Sequence, residues 1–392
     1  MRRAIGYVGR ALLWTVVALL LTIVIVPKFL DRVYYQGPIS DHYDGERFAS
    51  TGGPDVFTVS GPRPNPLNFI VRYLTGTDAR PTWPDRVAFA QSKPAPRVEG
   101  DRMVATWIGH ASFLVQTQGL NILTDPIWSQ TAGPLGVGPG RVAQPGVAFD
   151  DLPKIDVVVV SHNHYDHMDT ATLKRLWERD QPVIVTSLGN DTVIAGGGAK
   201  AVTRDWGGRV AIKPGVEVIV TRNHHWGSRW GVDRNRALWS SFVVKFPSGG
   251  NLFFAGDTGF GNGEWPREAA RHGPVRLALI PIGAFRFSPE QMSVGSHVGP
   301  IEAAELFARS GASRGLGMHW GTFRLSYEAY DTPPRLLREV MKCRGQRGFD
   351  SVAHGRPVEI ARYAPPPRAS SRRDMAGDVA ACLKSPAVTS LR

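Results

Sequence analysis

Residues 161–167 read Ser-His-Asn-His-Tyr-Asp-His, which places four strong metal-binding side chains, His162, His164, Asp166 and His167, within six positions. They follow Ile155–Val160 (IDVVVV), a short continuous apolar run that fits a buried strand. Imidazole nitrogens with a carboxylate oxygen suit a borderline divalent ion such as zinc. A loop at the end of a rigid strand can aim alternate side chains at one point. His162 and His164 would then chelate one ion, leaving Asp166 and His167 to turn toward a second.

The H-x-H-x-D-H pattern resembles that of the metallo-β-lactamase superfamily. That resemblance implies three further ligands, each with a matching position. His225 lies in Asn-His-His-Trp-Gly (223–227), Asp257 in Phe-Phe-Ala-Gly-Asp-Thr-Gly (253–259) and His319 in Gly-Met-His-Trp-Gly-Thr-Phe (317–323). Asp257 and His319 follow the apolar runs 251–255 and 313–318, the same strand-then-ligand arrangement. The segments WIGHASFLV (107–115), LTDPIWS (123–129), GPGR (138–141), LPKIDVVVVSHNHYDHMD (152–169), FFAGDTGF (253–260), IPIGAF (280–285) and HWGTF (319–323) are similar to the N-acylphosphatidylethanolamine-hydrolysing phospholipase D branch, with likeness extending over residues 38–360.

The resemblance implies that His162, His164 and His225 hold one Zn2+, that Asp166, His167 and His319 hold a second, and that Asp257 bridges both. Other divalent ions are also compatible with these donors. Two such ions share a bridging water and lower its pKa toward neutrality, so that hydroxide attacks phosphorus or a carbonyl carbon. Asp166 or Asp257 is then the expected proton acceptor, and no separate Ser or Cys nucleophile is needed. The branch places a His near the scissile group, which maps onto His297. Here, however, the run is Ser-His-Val-Gly-Pro-Ile-Glu-Ala, with Ser296 and Gly299 departing from the branch pattern. His225 rather than its neighbour His224 is the expected ligand, because it directly precedes Trp226. Asp125 reads either as the carboxylate behind a ligating His or as a turn cap. His110 reads as lining the pocket or, preferably, as hydrogen-bonded in the core. His354-Gly355 matches a His-Gly pair near the end of the branch, with Arg356 replacing an acidic residue, and His42 and His272 read as surface residues.

The elements that must position these residues follow from apolar patterning. Residues 11–26 are apolar apart from Thr15 and Thr22, and with 4–10 they reach the length of about 20 residues that spans a bilayer. Arg2, Arg3 and Arg10 precede the run, which puts the N-terminus in the cytoplasm and the catalytic domain outside the inner membrane. No small-x-small site follows, so a retained, single-pass signal anchor over residues 1–32 is expected. Residues 33–100 are rich in Pro and Gly and read as an arm, 101–363 as the catalytic domain and 364–392 as a disordered tail. Runs 238–246 and 275–282 read as strands, and residues 170–179, 300–310 and 334–342 as helices. The fold that the resemblance implies is α/β: a four-layer αββα sandwich of two mixed sheets between helices.

Composition narrows the function classes. The net charge of +12 favours anionic head groups nearby, and no aromatic-basic motif argues for specific nucleic-acid binding. Cys343 and Cys382 are the only cysteines, too few for a disulfide framework. Trp128, Tyr165, Trp226, Trp230, Phe260, Phe285, Phe287, Trp320 and Phe323 crowd the ligand segments and suggest an apolar groove for acyl chains. The expected activity is a membrane-anchored, dinuclear-zinc phosphodiesterase acting on N-acylphosphatidylethanolamine-type phospholipids. The alternative is a hydrolase of a soluble substrate (a lactonase, β-lactamase or cyclic-nucleotide phosphodiesterase) on the same fold. A non-catalytic tethered scaffold would have lost a ligand.

Overall fold

The computed structural model describes residues 2–51, 68, 71–72, 75–77, 80–287, 294–365 and 379–391. Much of the expected arm (52–67) and of the expected tail (366–378) lies outside the described residues. Helix α1, Arg2–Leu30, contains the apolar run: its segment Leu12–Leu30 has mean hydropathy 2.3 and is not buried against the rest of the chain.

Two seven-stranded sheets follow. The first contains β1 (Met103–Gly109), β2 (Ser112–Thr117), β3 (Leu120–Thr124), β4 (Val157–Val160), β5 (Val183–Ser187) and β6 (Val202–Arg204) in that order, with β14 (Pro357–Ile360) beside β1. The second contains β7 (Arg209–Lys213), β8 (Val216–Thr221), β9 (Ser241–Lys245), β10 (Asn251–Phe254), β11 (Val275–Pro281), β12 (Arg314–Met318) and β13 (Phe349–Asp350) in order. Each sheet is mixed: β1–β2–β3 and β7–β8–β9–β10 pair antiparallel, while β3–β4–β5–β6 and β10–β11–β12–β13 pair parallel.

Alternation along the strands builds the layers. Val157 and Val159 of β4 face the second sheet, where Val218, Val220, Phe242 and Phe254 meet them. Val158 and Val160 face helix α2 (Thr170–Asp180) through Leu173 and Leu176. The outer face of the second sheet, including Ile219, Phe253 and Ile280, is covered by α4 (Trp265–Ala270), α5 (Pro300–Ser310) and α6 (Thr332–Cys343). Helix α3 (Asn190–Gly196) adds Ile194 to the layer beneath the first sheet. Fully burying such side chains contributes about 1.5–3 kcal/mol apiece. The order is therefore α, β, β, α, as expected, and the predicted strands and helices fall within two residues of those observed, except that 238–246 is strand only over 241–245.

Three sequence expectations are corrected. Cys343 and Cys382 form a disulfide, their Cα atoms 5.5 Å apart. The end of the supposed disordered tail is helical over 379–383 and Pro386–Thr389, with Val388 fully buried against the α6 layer. The physical reason is apolar: Leu383, Val388 and Leu391 cover core surface that the sheet and helices leave open. His42 is also not a surface residue. It is only 7% exposed, stacks on Trp206 at 4.5 Å and lies between Asp41 and Asp205.

Candidate metal centre

Every proposed ligand sits at or just beyond the end of a strand. β4 delivers residues 161–167, β8 delivers His225, β10 delivers Asp257 and β12 delivers His319. The two parallel runs bring these ends to one edge of the sandwich, since parallel neighbours finish on the same side. Gly256, at φ +61°, is needed for close approach, because a Cβ there would come within 2.7 Å of Ser161 Cβ. The turn carrying Asp257 can therefore lie against the loop carrying His162.

The imidazoles form two groups. His162, His164 and His225 offer ring nitrogens within 4.8 Å of one another, with His162 Nε2 2.8 Å from His164 Nδ1. Asp166, His167 and His319 form the second group, joined by His110. Asp257 lies beside both. Its Oδ2 is 3.0 Å from His167 Nε2 and 2.9 Å from His319 Nε2, and it also groups with His225 and His297. His297 lies 3.7 Å from Asp257 Oδ2, with its ring 5.1 Å from that of His225. His224 is buried but turned away, its backbone N–H donating to Thr258 Oγ1 at 3.1 Å.

Supporting contacts fix the ring orientations. Asp125 is fully buried; its Oδ2 lies 2.6 Å from His167 Nδ1 and accepts from Ser161 Oγ at 2.6 Å, while Oδ1 accepts from Ser161 N at 2.7 Å. Ser161 Oγ is in turn 2.9 Å from His162 Nδ1. One carboxylate thus reaches a histidine of each group, the role expected of a residue behind ligating imidazoles. His225 Nδ1 faces Ser296 O at 2.9 Å, so position 296 acts through its backbone.

His110 is the residue whose role the sequence left unresolved in favour of the core. Its Nε2 lies 2.8 Å from Asp166 Oδ2, and its carbonyl accepts from His319 N at 3.0 Å. The signal was the Gly-His pair at the corner between β1 and β2, where His110 adopts φ +54°. Asp125 (φ +31°) and His319 (φ +64°) are likewise non-glycine residues in this costly region, and such strain concentrates at functional sites. His354 stacks on Trp107 at 3.9 Å, outside both groups.

The donor chemistry fits divalent ions. Burial lowers the pKa of His164 and His225 to about 3 and that of His162 well below normal, keeping all three neutral, the form that ligates. Burial opposes charge on His319 too, but Asp257 and Asp166 override it and raise its pKa to about 9. His167 is raised well above normal in the same way, burial being outweighed by Asp257, Asp166 and Asp125. The carboxylates thus favour positive charge here, where His167 Nε2 and His319 Nε2 meet at 3.1 Å. Meanwhile His164 Nε2, His225 Nε2 and Asp257 Oδ1 are buried with no hydrogen-bond partner among the described residues. Orphaned buried polar atoms of this kind are costly unless something binds them.

The aromatic residues divide. Trp226 (4.2 Å from His164), Phe287 (5.2 Å from His297) and Phe323 (5.3 Å from His110) touch the centre. Trp128, Phe260, Phe285 and Trp320 pack into the core layers instead, so the expected acyl groove is smaller than the aromatic count suggested. A cavity of about 440 Å³ lies elsewhere, between α6 and residues 345–351.

Comparison with known proteins agrees with this geometry. A family model described as the Beta-lactamase superfamily domain matches residues 120–320. The chain belongs to the metallo-β-lactamase superfamily. It is a metal-dependent hydrolase of that superfamily. An N-acyl-phosphatidylethanolamine-hydrolyzing phospholipase D 1 from Caenorhabditis elegans is 32% identical over 309 residues, covering 74% of this chain and 86% of the relative. A mitochondrial protein of the same description from Saccharomyces cerevisiae is 32% identical over 245 residues, 61% of this chain and 52% of that one. Among solved structures, isothiocyanate hydrolase from Delia radicum gut bacteria shares the fold with TM-score 0.53 at 18% identity, covering 66% of this chain and 100% of the other.

Proposed function

We infer that this protein is a membrane-anchored phosphodiesterase that hydrolyses N-acylphosphatidylethanolamine-type phospholipids at the bond between phosphorus and the head-group oxygen. The observation that carries the reading is the likeness to the C. elegans enzyme, which runs through 86% of that enzyme's length. His162, His164 and His225 would hold one zinc, and Asp166, His167 and His319 a second, with Asp257 between them. Bound there, the ions supply Lewis acidity and bring the pKa of water near neutrality.

The chain's own residues do the rest. Asp125 and Ser161 orient His162 and His167, and His110 holds Asp166 in place. Asp257 or Asp166 takes the proton from the attacking water. His297, kept neutral by burial with its pKa lowered to about 3, lies beside Asp257 and faces Phe287, where it would relay that proton to the leaving alkoxide. Water adds to phosphorus, the P–O bond to the N-acylethanolamine breaks, and phosphatidic acid remains.

Helix α1 supports anchoring in the inner membrane, since its apolar side chains from Leu12 to Phe29 are largely exposed. The Cys343–Cys382 disulfide supports a catalytic domain on the extracytoplasmic side, because disulfides persist in oxidising compartments. The reading is tested by incubating zinc-loaded protein with N-acylphosphatidylethanolamine in mixed micelles and identifying products by mass spectrometry. Phosphatidic acid plus N-acylethanolamine supports it. No turnover by metal-replete protein would sink it.

A further inference from the structure

The end of α1 runs without a spacer into a set of polar contacts on the catalytic domain. Asp31 follows the last helical residue, and its N–H donates to Pro27 O at 2.9 Å. Its carboxylate accepts from Arg236 Nε at 2.9 Å and Nη2 at 2.8 Å, and from Arg47 Nη2 at 2.7 Å. Three residues on, the buried Tyr34 hydroxyl donates to Asp233 Oδ2 at 2.7 Å.

Asp233 is the hub of the loop 226–236. It accepts from the backbone N–H groups of Arg229 and Trp230 at 3.0 and 2.8 Å. Arg229 then reaches the metal loop: its Nη1 donates to Asn163 O at 3.1 Å and Met168 O at 2.9 Å, and its guanidinium lies 3.6 Å from the Tyr165 ring centroid. Gly227 allows this approach, because a Cβ there would come within 2.6 Å of Asn163 Oδ1. One continuous chain of contacts therefore joins the end of the anchor to the loops carrying His162–His167 and His225.

The part of the centre nearest these contacts is also its open side. His164, Tyr165, Asp166, Trp226 and Trp230 are part-exposed, whereas His162, His167, His225, Asp257 and His319 are buried. Around the contacts, Phe29 (69%), Val33 (51%) and Val232 (39%) are exposed apolar residues, and Lys28 and Arg32 are exposed cations. Apolar side chains with part-exposed Trp and Tyr, flanked by cations, suit the interface of a phospholipid bilayer.

We propose that residues 31–34 and the loop 226–236 form a rigid clamp that seats the mouth of the metal centre on the bilayer surface, so that the anchor sets the orientation of the site as well as its location. The inference rests on the membrane-anchored reading above. A flexible tether would have needed a Gly- or Ser-rich stretch after the helix, yet residues 28–36 contain neither.

The test uses full-length, zinc-loaded protein in phosphatidylethanolamine–phosphatidylglycerol vesicles, carrying a spin label through Val232→Cys. Accessibility to oxygen and to a water-soluble nickel chelate reports the depth of the label. The label should lie at the head-group level. Inserting six Gly/Ser residues between Leu30 and Asp31 leaves every domain contact in place and should move the label into water. Asp31→Asn should do the same to a lesser extent, with circular dichroism and metal content unchanged. Turnover of N-acylphosphatidylethanolamine in vesicles should fall at least about tenfold on insertion, while turnover in mixed micelles stays constant. A label that is aqueous in the uninterrupted protein, or a depth unchanged by the insertion, overturns the clamp. Absence of lipid turnover in every form overturns the lipid reading but leaves the depth measurement to decide the clamp.

Discussion

At the scale of single residues, burial keeps His162, His164 and His225 neutral, while neighbouring carboxylates outweigh it at His167 and His319. Asp257 touches donors of both groups, so Asp257→Asn removes a charge shared between them. We expect Asp257→Asn and His164→Ala each to lower turnover by roughly 10³-fold or more, with the far-ultraviolet circular dichroism unchanged. Retained turnover would refute the two-ion arrangement. Asp125→Asn should weaken metal binding by about 10–100-fold, read by competition with a chelator, since Asp125 orients His167 and, through Ser161, His162. Proton linkage follows from the same geometry. His319, its pKa raised to about 9 against the pull of burial by Asp257 and Asp166, is protonated in the metal-free protein at neutral pH. It must lose that proton to ligate. Metal affinity should therefore weaken as pH falls below about 9, with proton release on binding visible by calorimetry in buffers of different ionisation enthalpy.

At the scale of elements, the strand-end ligands were legible because a buried strand followed by donors makes a pattern of its own. Val157–Val160 before residues 161–167 is a continuous apolar run that fits a buried strand, and Arg314–Met318 precedes His319 in the same way. His110 was less legible. A lone histidine at a hairpin corner has no spacing partner, and its contact with Asp166 joins residues 56 positions apart. The disulfide was hidden for a related reason: its two cysteines are 39 positions apart, one on a helix and one beyond a stretch of polar composition. Closing a loop of that length restricts the unfolded chain by about 4 kcal/mol. Replacing both Cys343 and Cys382 by Ser should therefore lower the thermal midpoint by several degrees. An unchanged midpoint would mean that the apolar contacts of Val388 and Leu391 hold the C-terminal segment by themselves.

At the scale of the whole molecule, the layered sandwich brings strand ends from both sheets to one edge, and α1 joins the domain near that edge. The order of layers was implied by the resemblance and by strands that come first with helices interleaved after them. The seating of residues 31–48 on the domain was not, because it rests on polar contacts such as Asp31 with Arg236, 205 positions apart. Removing residues 1–30 while keeping Asp31 should give a soluble, zinc-binding domain that turns over micellar substrate at the full-length rate. A truncated domain that binds metal yet is inactive on micelles would show that α1 contributes to the chemistry itself.

The most direct test of the central claim is the fate of solvent oxygen. Zinc-loaded protein would be given N-acylphosphatidylethanolamine in water enriched with heavy oxygen, and every product would be weighed by mass spectrometry. The account predicts the label on the phosphate of phosphatidic acid and none on the N-acylethanolamine. Label on the N-acylethanolamine oxygen, on a released fatty acid or on diacylglycerol would place the attack at carbon or at another bond, and would contradict it.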